Sequence, residues 1–200
     1  AAGRRRGAPP RGGGRAGQFS VFPFPIRELQ GKVMGIVGFG ALGRGVARVA
    51  EAFGMQVRIA NRRGGEREPG RVDLDDLLPA ADVLSLHCPL TPATRGMIGR
   101  KELAAMKPGA VLVNTARGAL VDAAALADAL REGRIGGAAI DVLEQEPPVD
   151  GNPLLDLSIP KLIVTPHVAW AARESRQRCL DELAANVQAF LRGERRTRVD

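Results

Sequence analysis

Lys32–Gly54, KVMGIVGFGALGRGVARVAEAFG, is the stretch whose reading decides the fold. Val33, Met34, Ile36 and Val37 form a near-continuous apolar run, as a strand buried on both faces of a parallel sheet requires. Gly38, Gly40 and Gly43 follow as G-x-G-x-x-G. In such a motif the first glycine permits a tight turn, the second lets backbone approach a pyrophosphate, and the third lets helix and strand pack closely. The phosphates then rest on the N-terminus of the next helix, where unpaired N–H groups and the helix dipole favour negative charge. Val46, Val49, Ala50 and Phe53 recur at helical spacing, which predicts a helix with those four on its buried face. Strand, glycine turn and helix together point to a dinucleotide site rather than an incidental loop.

The rest of the chain repeats this alternation. Met55–Ala60 is predicted as a second strand and Asp73–Ala81 as a short helix; Val83–His87 is the next strand, closed by Cys88 and Pro89. Lys101–Met106 is a helix, Ala110–Val113 a strand, Asp122–Glu132 a helix, Gly137–Asp141 a strand and Leu162–Thr165 another. A last helix over 172–191 carries Leu180, Leu183, Ala184, Val187 and Leu191 on one stripe. Strands and helices alternating in this way define an α/β fold, a doubly wound parallel sheet with right-handed crossovers. The domain is expected over 18–192, with a polar tail over 193–200.

Composition narrows the function. The chain of 200 residues is 44% hydrophobic and 26% charged, with a net charge of +7. Arg4, Arg5, Arg6, Arg11 and Arg15 supply five of those charges within residues 1–17, which hold only Ala, Gly, Arg and Pro. Such a segment cannot bury apolar surface and is expected to be disordered. The basicity is therefore a tail and not a patch on the fold, so no nucleic-acid partner is expected; a basic arm touching nucleic acid or an acidic surface is the alternative. Phe19–Ile26 reads as an extended, Pro-broken segment laid against the domain. No apolar run is long enough to cross a bilayer, and no hydrophobic stretch follows Arg4–Arg6 as a secretory signal would require. Cys88 and Cys179 suit reduced thiols in the cytoplasm, and no metal site is expected.

Two places carry the chemistry. At the end of the second strand, Asn61 stands 21 residues after Gly40, where an acid would bind the ribose 2′-hydroxyl of NAD. Asn61 carries no charge to repel a 2′-phosphate, and Arg62 and Arg63 offer planar forks to pair with one. These residues favour NADP slightly over NAD, although Asn can still bond a ribose hydroxyl. At the carboxyl ends of later strands, where ligands bind in open α/β sheets, stand Arg117, Glu146 and His167. An imidazole such as that of His167 can exchange a proton with an alcohol. A carboxylate such as Glu146 beside it fixes its tautomer and favours its charged form. Arg117 offers a fork for a substrate carboxylate and a charge that polarises a carbonyl. His87, at a strand end beside a proline, reads as structural.

With VGFGALG, LHCPLTPATRGMI, MKPGAVLVNTARGALVD, AAIDVLEQEPP and TPHVAW in that order, residues 18–196 resemble the cofactor domain of the D-isomer-specific 2-hydroxyacid dehydrogenases. The resemblance implies that His167 is the acid/base, that Glu146 pairs with it, and that Arg117 binds the substrate carboxylate and keto oxygen. It places Asp141 near the nicotinamide carboxamide. It sets Gly38, Gly40, Ala41, Leu42, Gly43, Asn61, Arg62, Cys88, Pro89, Thr115, Ala116, Arg117 and His167 along the cofactor. FPIREL, PPVDGNPLL and Trp170 resemble the glycerate dehydrogenase (hydroxypyruvate reductase) branch of the family. The implied activity is hydride transfer between NAD(P)H and a small 2-keto or 2-hydroxy acid. The family's N-terminal substrate domain is expected to be largely absent from these residues. The helices of the family's homodimer interface find no counterpart before the first strand. Two rival readings are a nucleotide-sensing corepressor-like protein on the same fold, and a catalytically silent cofactor domain.

Overall fold

The computed structural model describes residues 26–62, 65 and 67–196. The arginine-rich tail, the Phe19–Pro25 segment, Arg63 and the last four residues lie outside them. The strands are β1 (Val33–Val37), β2 (Gln56–Ile59), β3 (Val83–Leu86), β4 (Val111–Asn114), β5 (Gly137–Ile140) and β6 (Leu162–Val164). The helices are α1 (Ala41–Ala52), α2 (Leu74–Leu77), α3 (Arg100–Ala105), α4 (Ala123–Arg131) and α5 (Arg173–Leu191).

All strands pair in parallel in the order β2-β1-β3-β4-β5-β6. Ile36 of β1 lies opposite Ile59 on one side and Ser85 on the other. The chain leaves β1 for one neighbour and returns past it to β3, so strand order reverses at β1 and opens a crevice at the carboxyl ends. The expected strands and helices are all present, and apart from α2 their ends differ by a residue or two. The acidic helix after β2 is shorter than expected: α2 ends at Leu77 and the chain turns through Ala80. Asp122 starts α4 by accepting the Ala125 N–H at 2.9 Å.

The core lies between sheet and helices and is built largely of Leu, Ile and Ala. Ile36, Leu84, Leu86, Leu112, Leu120 and Leu126 are wholly buried, each stabilising the fold by about 2 kcal/mol relative to exposure. Two expected faces differ. In α1 the buried residues are Gly43, Ala47 and Ala50, while Val49 and Phe53 are 57% and 60% exposed. Small residues face the strands because helix and sheet approach closely here. In α5 only Ala189 is buried, and the stripe of Leu180, Leu183, Val187 and Leu191 faces outward.

Candidate active site

The glycine turn is built by contact. Gly38 has φ +96°, and a Cβ there would lie 2.4 Å from the Cys88 backbone nitrogen. A Cβ on Gly43 would lie 2.1 Å from the Gly38 carbonyl oxygen. Both positions need glycine for the backbone to close. Gly40 is different: nothing lies within 4 Å of a Cβ placed there. α1 begins at that opening with no side-chain cap and no acid in its first turn. Its N–H groups thus face the crevice with no competing carboxylate, as a bound pyrophosphate needs. The residues present fit a dinucleotide on these grounds. Ala41 and Leu42 are exposed at the same helix start.

The carboxyl end of β2 is more elaborate than its sequence. Val72 runs beside Ala60, so the approach to α2 lies along the strand end. Asn61 Nδ2 donates to Asp73 Oδ1 at 2.9 Å, and Asn61 Oδ1 accepts the Glu68 N–H at 3.1 Å. The other oxygen of Asp73 accepts from the Arg67 guanidinium. Arg71 pairs with Glu68 at 2.7 Å and lies 6.0 Å from the centre of the Phe39 ring, between the first two glycines. Arg62 is exposed. The expected uncharged position therefore has a carboxylate one hydrogen bond away.

At the end of β3, His87 Nε2 is 2.9 Å from Ser85 Oγ, and burial pushes the imidazole below its ordinary pKa. Burial likewise pushes the Cys88 thiol up, and its Sγ lies 3.7 Å from Met97 Sδ. The Pro89 carbonyl accepts the Thr94 hydroxyl at 2.8 Å. At the end of β4 the wholly buried Asn114 shapes the next loop: its oxygen accepts the Ala116 N–H at 3.0 Å and its Nδ2 donates to the Arg117 carbonyl at 2.9 Å. Thr115 is exposed on that loop. A Cβ on Gly118 would lie 2.0 Å from the Leu143 carbonyl carbon, so this loop packs directly on the one leading to Glu146. The Arg117 guanidinium folds back to its neighbour's carbonyl, with Nη1 2.7 Å from Ala116 O.

His167 and Glu146 are brought together: Nδ1 lies 2.6 Å from Oε2. The other oxygen of Glu146 accepts the Leu143 N–H at 2.7 Å. Burial alone would push the Glu146 carboxyl up, but these two bonds and the His167 charge hold it below its ordinary value. His167 has φ +53°, a left-handed backbone conformation that residues with a side chain adopt uncommonly. Asp141 holds it there. Its carbonyl accepts the His167 N–H at 2.8 Å. Its carboxylate, 5% exposed, accepts the Val168 and Ala169 N–H groups at 2.9 Å each and the Thr165 hydroxyl. Burial pushes the Asp141 carboxyl up, and those three bonds outweigh it and hold it below its ordinary value.

Beside the pair, a groove of about 1160 Å³ is lined by β6 and by His167, Glu146, Asp141, Leu154 and Ile159. Among the described residues, no group of three or more His, Cys, Asp or Glu side chains is placed to hold a metal ion, and no helix is long and apolar enough to cross a membrane. Sequence reasoning missed Asn114, Asp73 and Thr165. A buried Asn at a strand end is the only local signal among them; the others act across the fold.

A parallel sheet reversing at β1, with a phosphate-shaped glycine turn and an imidazole–carboxylate pair at the same edge, defines an NAD(P)-binding domain of the dehydrogenase class. Residues 5–169 match the family model described as "D-isomer specific 2-hydroxyacid dehydrogenase, NAD binding domain", and the chain belongs to that family. It is 52% identical over 176 residues to a glycerate dehydrogenase of Methylorubrum extorquens, covering 88% of this chain and 55% of that protein. It is 41% identical over 174 residues to a hydroxypyruvate reductase of Blautia hydrogenotrophica, covering 85% and 53%. Among solved structures it resembles an acyclic imino acid reductase in complex with NADPH and D-Arg, with TM-score 0.78, 34% identity and coverage of 88% and 57%. The chain spans about half the length of the curated relatives it matches.

Proposed function

We propose that this chain is the cofactor and acid–base half of an NAD(P)-dependent D-2-hydroxyacid dehydrogenase, reducing hydroxypyruvate or glyoxylate to D-glycerate or glycolate. The observation that carries the reading is the 2.6 Å His167–Glu146 pair at the same sheet edge as the glycine turn. The activities named for the two curated relatives support hydroxypyruvate and D-glycerate as the pair. The turn and the start of α1 would hold the pyrophosphate, Asn61 and Arg62 the adenosine ribose, and Cys88, Pro89, Thr115, Ala116 and Asp141 the nicotinamide end. When bound, the nicotinamide supplies the hydride for reduction and takes it in oxidation.

Glu146 accepts the Nδ1 proton of His167, which leaves Nε2 as the atom that gives a proton to the substrate oxygen on reduction and takes it on oxidation. The Glu146 charge balances the imidazolium. Arg117 turns from the Ala116 carbonyl to the substrate carboxylate and polarises the keto group. Asn61 and Arg62 support acceptance of NADP beside NAD, and a structural relative carries NADPH. The reading places the protein in the cytoplasm, which suits its free Cys88 and Cys179. A homodimer is typical of the family, but its interface helices find no counterpart before β1; Leu183, Val187 and Phe190 on α5 are exposed apolar surface.

The test is titration of NADH and NADPH into the chain, then addition of hydroxypyruvate with loss of reduced cofactor followed optically. Binding with turnover is expected from the full reading. Binding without turnover, restored in a chain extended to the length of its relatives, assigns the remaining residues to the missing half. Binding of neither nucleotide overturns the proposal.

A further inference from the structure

Asp73 stands in the first position before α2, where an aspartate ordinarily accepts N–H groups of its own helix. It does not do so here. One carboxylate oxygen takes the Asn61 amide at 2.9 Å and the other takes the Arg67 guanidinium. The backbone makes this geometry firm, because Asn61 N–H donates to Val72 O at 2.7 Å and Val72 N–H to Ile59 O at 2.9 Å. Asp73 is thereby fixed beside the end of β2, with its side chain 36% exposed and Arg67 81% exposed outside it. The nearby cation Arg71 has its own acid partner in Glu68.

Resting on the cofactor reading above, we propose that Asp73, reaching across from the start of α2, sets the choice between a free ribose 2′-hydroxyl and a 2′-phosphate. The acid that β2 lacks at Asn61 is supplied from another element. Its carboxylate orients the Asn61 amide, so the Asn61 side chain cannot swing freely toward an added anion. It also occupies Arg67, a second cation that a 2′-phosphate would recruit beside Arg62. A doubly charged phosphate entering beside Asn61 meets the Asp73 charge and must compete for Arg67, whereas a neutral hydroxyl meets neither cost. The arginines at this end allow NADP in, and Asp73 limits how tightly it is held.

The experiment titrates NADH and NADPH, followed by nicotinamide fluorescence, into the wild-type chain and into Asp73→Asn, Asp73→Glu and Arg67→Gln. Asp73→Asn removes the charge and keeps an oxygen for Arg67, while its amide NH2 replaces the acceptor of the Asn61 amide. It is expected to tighten NADPH about tenfold while NADH changes less than about threefold. Asp73→Glu keeps the charge and is expected to stay near the wild-type ratio. Arg67→Gln, on a side chain largely in solvent, leaves Asp73 unneutralised and is expected to weaken NADPH alone. Raising the salt should shrink all these differences, since the charges are partly exposed. An NADPH-to-NADH affinity ratio unchanged in Asp73→Asn overturns the proposal alone and leaves the cofactor reading standing. A folded wild type that binds neither nucleotide overturns both.

Discussion

Two turns of this molecule use the same backbone device and meet its cost in opposite ways. Gly38 and His167 both have positive φ, +96° and +53°, and both stand at the carboxyl edge of one sheet. Gly38 has no side chain, and the packing of Cys88 against it leaves no room for one. His167 carries the side chain proposed to exchange the proton, and its turn is held by others: Asp141 takes one backbone N–H on its carbonyl and two more on its carboxylate. The first turn is specified locally, by what is missing. The second is specified at a distance, by an aspartate more than twenty residues earlier, and it depends on every member of that clamp.

The largest effect therefore belongs to the glycine turn. Gly38→Ala adds a carbon 2.4 Å from the Cys88 nitrogen and 2.6 Å from the His87 carbonyl carbon, at a φ that disfavours it. Overpacking against backbone combined with this φ should cost about 3 to 4 kcal/mol, read as a lowered denaturant midpoint. A loss below about 1 kcal/mol would mean that the turn relaxes and that contact does not specify it.

Asp141→Asn tests the other turn and should cost about 2 kcal/mol, because an amide must present N–H where one of three donors now points. The two histidines supply an internal control. Nuclear magnetic resonance should show the His167 ring signals shifted and broadened as its bond to Glu146 loosens, with those of His87 unmoved. Equal disturbance of both would make Asp141 a general core residue and dissolve the contrast.

The same contrast explains what was legible in the sequence. The β1 turn and the strand–helix alternation could be read because neighbours along the chain determine them: the apolar run, the three glycines and the Asp122 cap act within a few residues. His167 and Glu146 could be singled out as types in place, but not the clamp that poses them, since the Asp141 bonds to Val168 and Ala169 join residues distant in sequence. Asn61 read as an uncharged position for the same reason, its acid arriving from Asp73. The apolar stripes misled in another way. Val49, Phe53, Leu183 and Val187 have the spacing of buried faces, yet spacing states only that a surface wants cover, not that the described residues supply it.

Acid should separate the turns without mutation. The Asp141 and Glu146 carboxyls are held below their ordinary values of 3.8 and 4.5. The unfolded chain thus binds their protons first, so their stabilisation is present above that range and is lost as pH falls through the lowered folded values. His87, lowered from 6.5 by burial, acts in the same direction at higher pH: unfolding takes up a proton there that the folded chain resists. Melts from pH 7 downward should fall first near pH 6.5, a step that His87→Gln removes, and again below about pH 4.5, a step that Glu146→Gln reduces. The glycine turn titrates nothing and should contribute to neither. A melting temperature that rises on acidification would contradict the sign for all three groups.

The smallest effect on folding is expected at the remaining glycine of the motif. Gly40 has φ −77°, which any residue adopts, and a Cβ there meets nothing within 4 Å. Gly40→Ala should change stability by no more than about 0.5 kcal/mol, against several for Gly38. Yet the open space above Gly40 is where backbone must approach a pyrophosphate, and a methyl group would stand in it. Nucleotide affinity should then fall by about tenfold or more in a chain whose melt is unchanged. Such a result would divide one six-residue motif by purpose, with Gly38 and Gly43 serving the fold and Gly40 serving only the ligand. If Gly40→Ala instead binds NADH as the wild type does, the pyrophosphate does not lie on this turn, and the emptiness around Gly40 has no bearing on the cofactor.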